Sequence, residues 1–194
     1  MKSFEDAKIG IIGLGYVGLP LAVAFGRKYP TVGFDIHEPR ISALAAGHDA
    51  TMEVESSDLE EAVKLRFSSD AAVLSECNIY VITVPTPIDA AKQPDLGPLM
   101  SASQTVSSVL KPGDIVIYES TVYPGATEEV CAPILEEGSD LTLNRDFSVG
   151  YSPERINPGD KVHRLESIVK VTAGSNPEAA GVIDEPVSYT HLRA

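Results

Sequence analysis

Lys8-Ile9-Gly10-Ile11-Ile12-Gly13-Leu14-Gly15-Tyr16-Val17-Gly18-Leu19-Pro20 is the stretch of this 194-residue chain that decides its fold. The apolar run before Gly13 predicts a buried parallel strand, and Leu19 to Phe25 predicts the helix that follows. The three glycines then fall at the strand-to-helix turn. Gly13 permits a tight bend, Gly15 lets backbone approach a diphosphate, and Gly18 lets helix pack closely on strand. Amides at the helix start, aided by the helix dipole, are the natural grip for such an anion.

Reading outward, a second strand, Thr31-Val32-Gly33-Phe34, ends in Asp35, about 20 residues after Gly13, the spacing at which a carboxylate takes hydrogen bonds from adenosine ribose hydroxyls. The same carboxylate repels a 2′-phosphate, so the pattern points to NAD rather than NADP as cofactor. The length fits one domain, or one domain with the start of another, and the composition is that of an ordinary soluble globule. Net charge is −13, from 28 acidic against 15 basic residues, which argues against nucleic acid or an anionic membrane as partner. Ile9 to Phe25 carries no charge, yet glycines and Pro20 interrupt it and it falls short of the roughly 20 apolar residues of a membrane span. Cys77 and Cys131 form no CxxC pair, and their predicted burial fits a reducing, cytoplasmic setting.

Strand and helix signals alternate along the chain, the pattern of a Rossmann-like, doubly wound, mainly parallel sheet with helices on both faces. Residues 39–46 predict a short helix stopped by Gly47, and residues 48–57 a polar surface loop. Residues 58–65 predict a helix with Asp58 as cap. Phe67 marks a short strand, residues 70–76 a helical turn and residues 78–84 a buried strand. A helix is predicted over 98–110, a strand over 114–118 and a helix over 125–136. Strands are predicted at 147–150 and 167–171, and Asn176-Pro177-Glu178 opens a last helix that Pro186 should break.

Open α/β sheets bind ligands beyond the carboxyl ends of their strands, and three unusual segments fall there. Thr83-Val84-Pro85-Thr86-Pro87 follows a strand, and its prolines stiffen a loop that leaves the hydroxyls of Thr83 and Thr86 to reach a cofactor. Simple punctuation of the chain is the other reading of that loop. Glu119-Ser120-Thr121-Val122-Tyr123-Pro124-Gly125 places hydroxyls between strand and helix, suited to a nicotinamide or sugar contact or to helix capping. Tyr151-Ser152-Pro153-Glu154-Arg155-Ile156-Asn157-Pro158-Gly159 crowds an acid, a guanidinium and an amide into a rigid turn. That turn suits polar substrate recognition, or a surface ion pair.

These four segments, in this order, resemble the NAD-binding domain of the UDP-glucose/GDP-mannose dehydrogenases. The Ser-Pro-Glu-Arg…Pro-Gly form is similar to the branch acting on UDP-N-acetylhexosamines, especially the UDP-N-acetylglucosamine 6-dehydrogenases of bacterial polysaccharide synthesis. The resemblance covers residues 8–185. It implies a four-electron oxidation of the sugar C6 alcohol to a carboxylate, with two NAD accepting hydride in turn. It further implies a cysteine that attacks the intermediate aldehyde, a thioester after hydride loss, and water releasing the uronate. Carried onto this chain, Glu154 and Thr121 match catalytic positions that activate and order water, and Glu154, Arg155, Ile156 and Asn157 match the sugar-nucleotide site. Gly13, Gly15, Tyr16, Val17, Gly18, Asp35, Arg40, Thr86 and Thr121 match positions near NAD, with Thr83, Pro85 and Ser120 beside them. A second glutamate found in some relatives is replaced here by Pro158.

The resemblance also implies what should lie elsewhere. The family's nucleophilic cysteine belongs to a central helix and sugar-binding domain beyond this chain, so residues 1–185 are expected to form the cofactor domain and to be inactive alone. Residues 186–194 match no family pattern and are expected to be a foreign tail. The whole enzyme is expected to be a homo-oligomer using a UDP-sugar, with no metal. Two other functions fit the early strands: a non-catalytic NAD-binding module, and a dehydrogenase of small hydroxy acids.

Overall fold

The computed structural model describes residues 6–88, 92–153, 169–190 and 192–193. Its centre is a sheet of short, mostly four-residue strands. These are β1 (Ile9–Ile12), β2 (Thr31–Phe34), β3 (Leu65–Ser68), β4 (Ile79–Ile82), β5 (Ile115–Tyr118) and β6 (Ser148–Tyr151), all parallel, with β8 (Ala173–Gly174) added antiparallel to β6. The order is β3-β2-β1-β4-β5-β6-β8. The chain therefore winds outward from β1 in one direction, then returns to lay β4 on its other side. That reversal between β1 and β4 is the doubly wound arrangement, and it opens a crevice at their carboxyl ends.

The central strands are buried on both faces. All four residues of β1, β2, β4 and β5 are buried, whereas β3, at the edge, is half exposed. Side chains alternate across the sheet as a strand requires. Ile9, Ile11, Ile79, Val81, Ile115 and Ile117 pack on one face with α1 (Gly18–Gly26), α2 (Glu38–Ala45) and α6 (Pro177–Thr190). Ile12, Val32, Phe34, Tyr80, Ile82, Val116 and Tyr118 pack on the other with α4 (Gly97–Ser107) and α5 (Ala132–Ser139). The uncharged run from Ile9 is thus a strand, a turn and a buried helix. Among the described residues no helix is long and apolar enough to cross a membrane.

Several local expectations are corrected. The helix read over 58–65 is α3 (Ser56–Glu61), which begins earlier and ends sooner. Its cap is Glu55, and Asp58 sits at its third position, closing a reciprocal capping box while pairing with Arg27 at 2.6 Å. The helix read over 125–136 is two pieces: a wide turn at Thr127–Cys131, where Ala132 N–H donates to the Thr127 carbonyl, then α5. Pro133 explains the break, since it has no N–H for the preceding turn and its ring crowds the carbonyl there. Val169–Lys170 (β7) pairs with Leu192–Arg193 (β9) in a separate two-stranded unit instead of joining the main sheet.

The last helix also departs from expectation. Asn176 caps it, its Oδ1 accepting the Ala179 N–H at 2.8 Å, and α6 runs through Pro186 to Thr190. A proline inside a helix deletes one hydrogen bond and bends the axis, but need not end it when packing holds the segment. Here Ala179 and Ile183 are fully buried against the sheet and supply that hold.

Candidate active site

A cavity of about 620 Å³ lies at the carboxyl ends of β1, β2, β4 and β5, where the topology reverses. Gly13, Gly15, Tyr16, Val17, Asp35, Thr83, Pro85, Thr86, Ser120 and Thr121 all line it. Glu154, Arg155, Ile156 and Asn157 lie outside the described residues.

The glycine turn has the geometry its spacing implies. Gly13 has φ +94°, a left-handed conformation that glycine enters without strain. A Cβ on Gly18 would collide with the Gly13 carbonyl and the Thr83 hydroxyl, so this position must be bare for α1 to approach β1. Gly18 therefore packs beneath the turn and is not part of the cavity wall. A Cβ on Gly15 would meet nothing within 4 Å and would project into open space. No side chain caps the start of α1, but the Leu19 N–H already donates to the Gly15 carbonyl at 3.1 Å and Pro20 has no N–H, so the amides left to an anion are those of the turn itself, such as Gly15.

The backbone of this turn is fixed from several sides. Asp35 Oδ2 accepts the Leu14 N–H at 2.9 Å, and its Oδ1 accepts the His37 N–H at 2.9 Å. Each carboxylate oxygen keeps lone-pair capacity toward the crevice, which Asp35 borders. Arg40 lies behind the wall instead of on it. Its Nε and Nη2 donate to the Leu14 carbonyl at 3.0 and 2.9 Å, and its Nη1 meets Asp49 Oδ1 at 2.7 Å. The stretch read as a polar surface loop is therefore built around a buried carboxylate, Asp49.

The hydroxyls of the two later segments are largely committed to backbone. Thr83 is buried and donates to the Gly13 carbonyl at 2.7 Å. Thr86 donates to the Thr121 carbonyl at 2.6 Å, and buried Ser120 to the Val84 carbonyl at 2.8 Å. Far from being free to reach a cofactor, these three hydroxyls bind the two loops to each other and to the glycine turn. Thr121 is the exception: its side chain is exposed on the cavity wall with no hydrogen-bond partner among the described residues.

Sequence reasoning missed part of the wall. Ser101 and Thr105, one turn apart on α4, face the cavity, as does Glu119, a carboxylate 5% exposed at the end of β5. The i, i+4 polar pair was a usable signal once α4 was placed at the carboxyl edge. Ile36, beside Asp35, lines the rim and is 76% exposed, an apolar surface left for a ligand.

Neither cysteine has the surroundings of a nucleophile. Both are buried thiols. Burial pushes Cys77 up to about 11, against smaller lowering by Lys111 and Arg66. Burial also raises Cys131, partly offset by hydrogen bonds with Ser103 and Tyr118. A thiol held neutral and out of solvent does not attack.

A doubly wound sheet with a bare diphosphate-sized cradle and an acid at the end of β2 defines a dinucleotide-binding domain of the Rossmann class. Comparison with known proteins narrows this. The chain belongs to the UDP-glucose/GDP-mannose dehydrogenase family, whose NAD binding domain matches residues 7–190. Its cofactor is NAD. A UDP-N-acetyl-D-glucosamine 6-dehydrogenase of Pseudomonas aeruginosa is 59% identical over 180 residues, 93% of this chain and 43% of the relative. One from Salmonella typhi is 58% identical over 95% of this chain and 44% of its own length. The solved UDP-D-ManNAc dehydrogenase of Pyrococcus horikoshii superposes with a TM-score of 0.87 at 33% identity, covering 96% of this chain and 45% of that one. The chain thus spans less than half the length of the relatives it matches.

Proposed function

We propose that this chain is the cofactor-binding half of a cytoplasmic nucleotide-sugar 6-dehydrogenase that oxidises the C6 alcohol of a UDP-N-acetylhexosamine to a uronate. The observation that carries the cofactor part is the pairing of Asp35 with the Leu14 amide beneath an open Gly15. Identity near 60% to two UDP-N-acetyl-D-glucosamine 6-dehydrogenases supports the sugar class.

In this reading Asp35 takes the adenosine ribose hydroxyls and Ile36 flanks the base. The Gly13–Val17 turn holds the diphosphate. Pro85 and Thr86 border the nicotinamide end, and NAD accepts hydride there. The hydroxyl of Thr121, which has no hydrogen-bond partner among the described residues, orders water and substrate beside Glu154, and Arg155, Ile156 and Asn157 contact the sugar nucleotide. The attacking cysteine belongs to a part of the enzyme other than this chain. The whole enzyme is read as a homo-oligomer.

Calorimetric titration tests the cofactor reading. The chain should bind NAD in preference to NADP, and Asp35→Ala should weaken NAD by about 1–3 kcal/mol, the worth of hydrogen bonds to a charged acceptor. Unchanged affinity in that variant would count against the assignment. Saturation-transfer NMR with UDP-N-acetylglucosamine against small 2-hydroxy acids tests the substrate class, and a response to the hydroxy acids alone would refute it.

A further inference from the structure

Asp49 has no place in the reading above, yet its carboxylate is among the most heavily hydrogen-bonded groups described. Its side chain is 1% exposed. Oδ1 accepts from Arg40 Nη1 at 2.7 Å, Thr51 Oγ1 at 2.7 Å and Thr51 N–H at 2.9 Å. Oδ2 accepts from the N–H groups of Glu53 and Val54 at 2.9 and 3.1 Å. The whole turn after α2 folds around this acid, and what it holds is a guanidinium.

That guanidinium sets a peptide plane. A trans peptide is flat, with its C=O and N–H pointing in opposite directions, and no cis bond is present among the described residues. In the Gly13–Leu14 peptide the N–H goes to Asp35 and the C=O to Thr83. In the Leu14–Gly15 peptide the C=O is taken by two donors of Arg40. Its N–H, that of Gly15, is thereby turned the opposite way, and it finds no acceptor among the described residues. Gly15 is also where a Cβ would meet only open space. Arginine has several rotatable bonds and holds one pose only if something fixes it. Buried Asp49 is what fixes it.

We propose that Asp49 is a positioning residue for the dinucleotide: acting through Arg40, it rotates the Leu14–Gly15 peptide so that the Gly15 amide is presented to the diphosphate. The inference rests on the NAD reading and names how its phosphate grip is set. It differs from the role of Asp35, which touches the cofactor itself.

The test is calorimetry with NAD together with amide NMR on the whole chain, comparing wild type, Asp49→Asn, Arg40→Lys and the double variant. Asparagine has one acceptor oxygen, so it cannot serve the Glu53 and Val54 amides on one side and the Arg40 and Thr51 donors on the other, and lysine cannot fork onto one carbonyl. Each single variant should weaken NAD on the order of tenfold, one charge-assisted hydrogen bond's worth. The Gly15 amide resonance should move in both, while core amides such as Val81 and Ile117 stay in place. The double variant should be no weaker than the weaker single one, because both act on one peptide. If Asp49→Asn fails to fold, Arg40→Lys, which retains a cation for Asp49, carries the same expectations. NAD affinity within about twofold of wild type, an unmoved Gly15 amide or additive losses would overturn the proposal. Failure of the wild type to bind NAD would overturn the cofactor reading itself, and the inference with it.

Discussion

Gly18 shows how much one missing atom can decide. Its hypothetical Cβ falls on the Gly13 carbonyl and on the Thr83 hydroxyl, which follows β4 and donates to that carbonyl. Neither can retreat without moving β1 or β4. Gly18→Ala should therefore destabilise the fold by about 1–3 kcal/mol through overpacking, measured by denaturant titration, and should weaken NAD further by displacing the turn. Equal stability in that variant would show that the close approach is not required. The thiols make the opposite case, of chemistry suppressed by surroundings. Cys77 is raised by burial to about 11 from 9.0. Its neutral form is favoured in the fold, so its contribution to stability is intact below pH 9 and lost as pH rises toward 11. A thiol reagent at pH 8 should accordingly label neither cysteine in the folded chain and both in denaturant. Rapid labelling of the native protein would contradict the assigned burial.

At the level of elements, prolines shape helices here in two different ways. Pro133 near the start of α5 coincides with the widened turn at Thr127–Cys131. Pro186 sits within α6, whose first half is anchored by Ala179 and Ile183. The second arrangement carries an avoidable cost, because the chain forgoes a hydrogen bond that alanine would make. Pro186→Ala should raise Tm by roughly 3–8 °C, the range expected when an interior helical proline is removed from a domain of this size. A lowered Tm would mean that the helix depends on proline at this position. The loops at the carboxyl edge show a related economy of parts. Thr83, Thr86 and Ser120 use their hydroxyls to tie neighbouring segments together.

The molecule as a whole is a cofactor domain with a prepared crevice and no thiol suited to covalent catalysis among its described residues. Incubated with NAD and UDP-N-acetylglucosamine, the chain should produce no NADH, as followed by absorbance. Steady NADH formation would overturn the assignment of the nucleophile to another part of the enzyme. The net charge of −13 does not oppose a doubly charged diphosphate at this site, because local amides and the dipole of α1 act at contact distance while distant carboxylates are screened.

The first strand, the turn at Gly13–Gly18 and an acid at the end of the second strand were legible from residues 8–35, because each depends on local backbone rules: apolar runs, glycine spacing and a strand end. Membership of the family was legible too, through four segments in register. Helix limits at 55–61 and 127–139, and passage through Pro186, depended on caps and packing partners far along the chain, which local propensity does not encode. Asp49 was least visible of all. A lone aspartate in a polar stretch looks like solvent-facing charge, and only folding brings Arg40 and the amides of Thr51, Glu53 and Val54 around it. Which groups touch is a property of three-dimensional proximity, and for a buried carboxylate proximity decides whether it is a surface charge or the anchor of a binding turn.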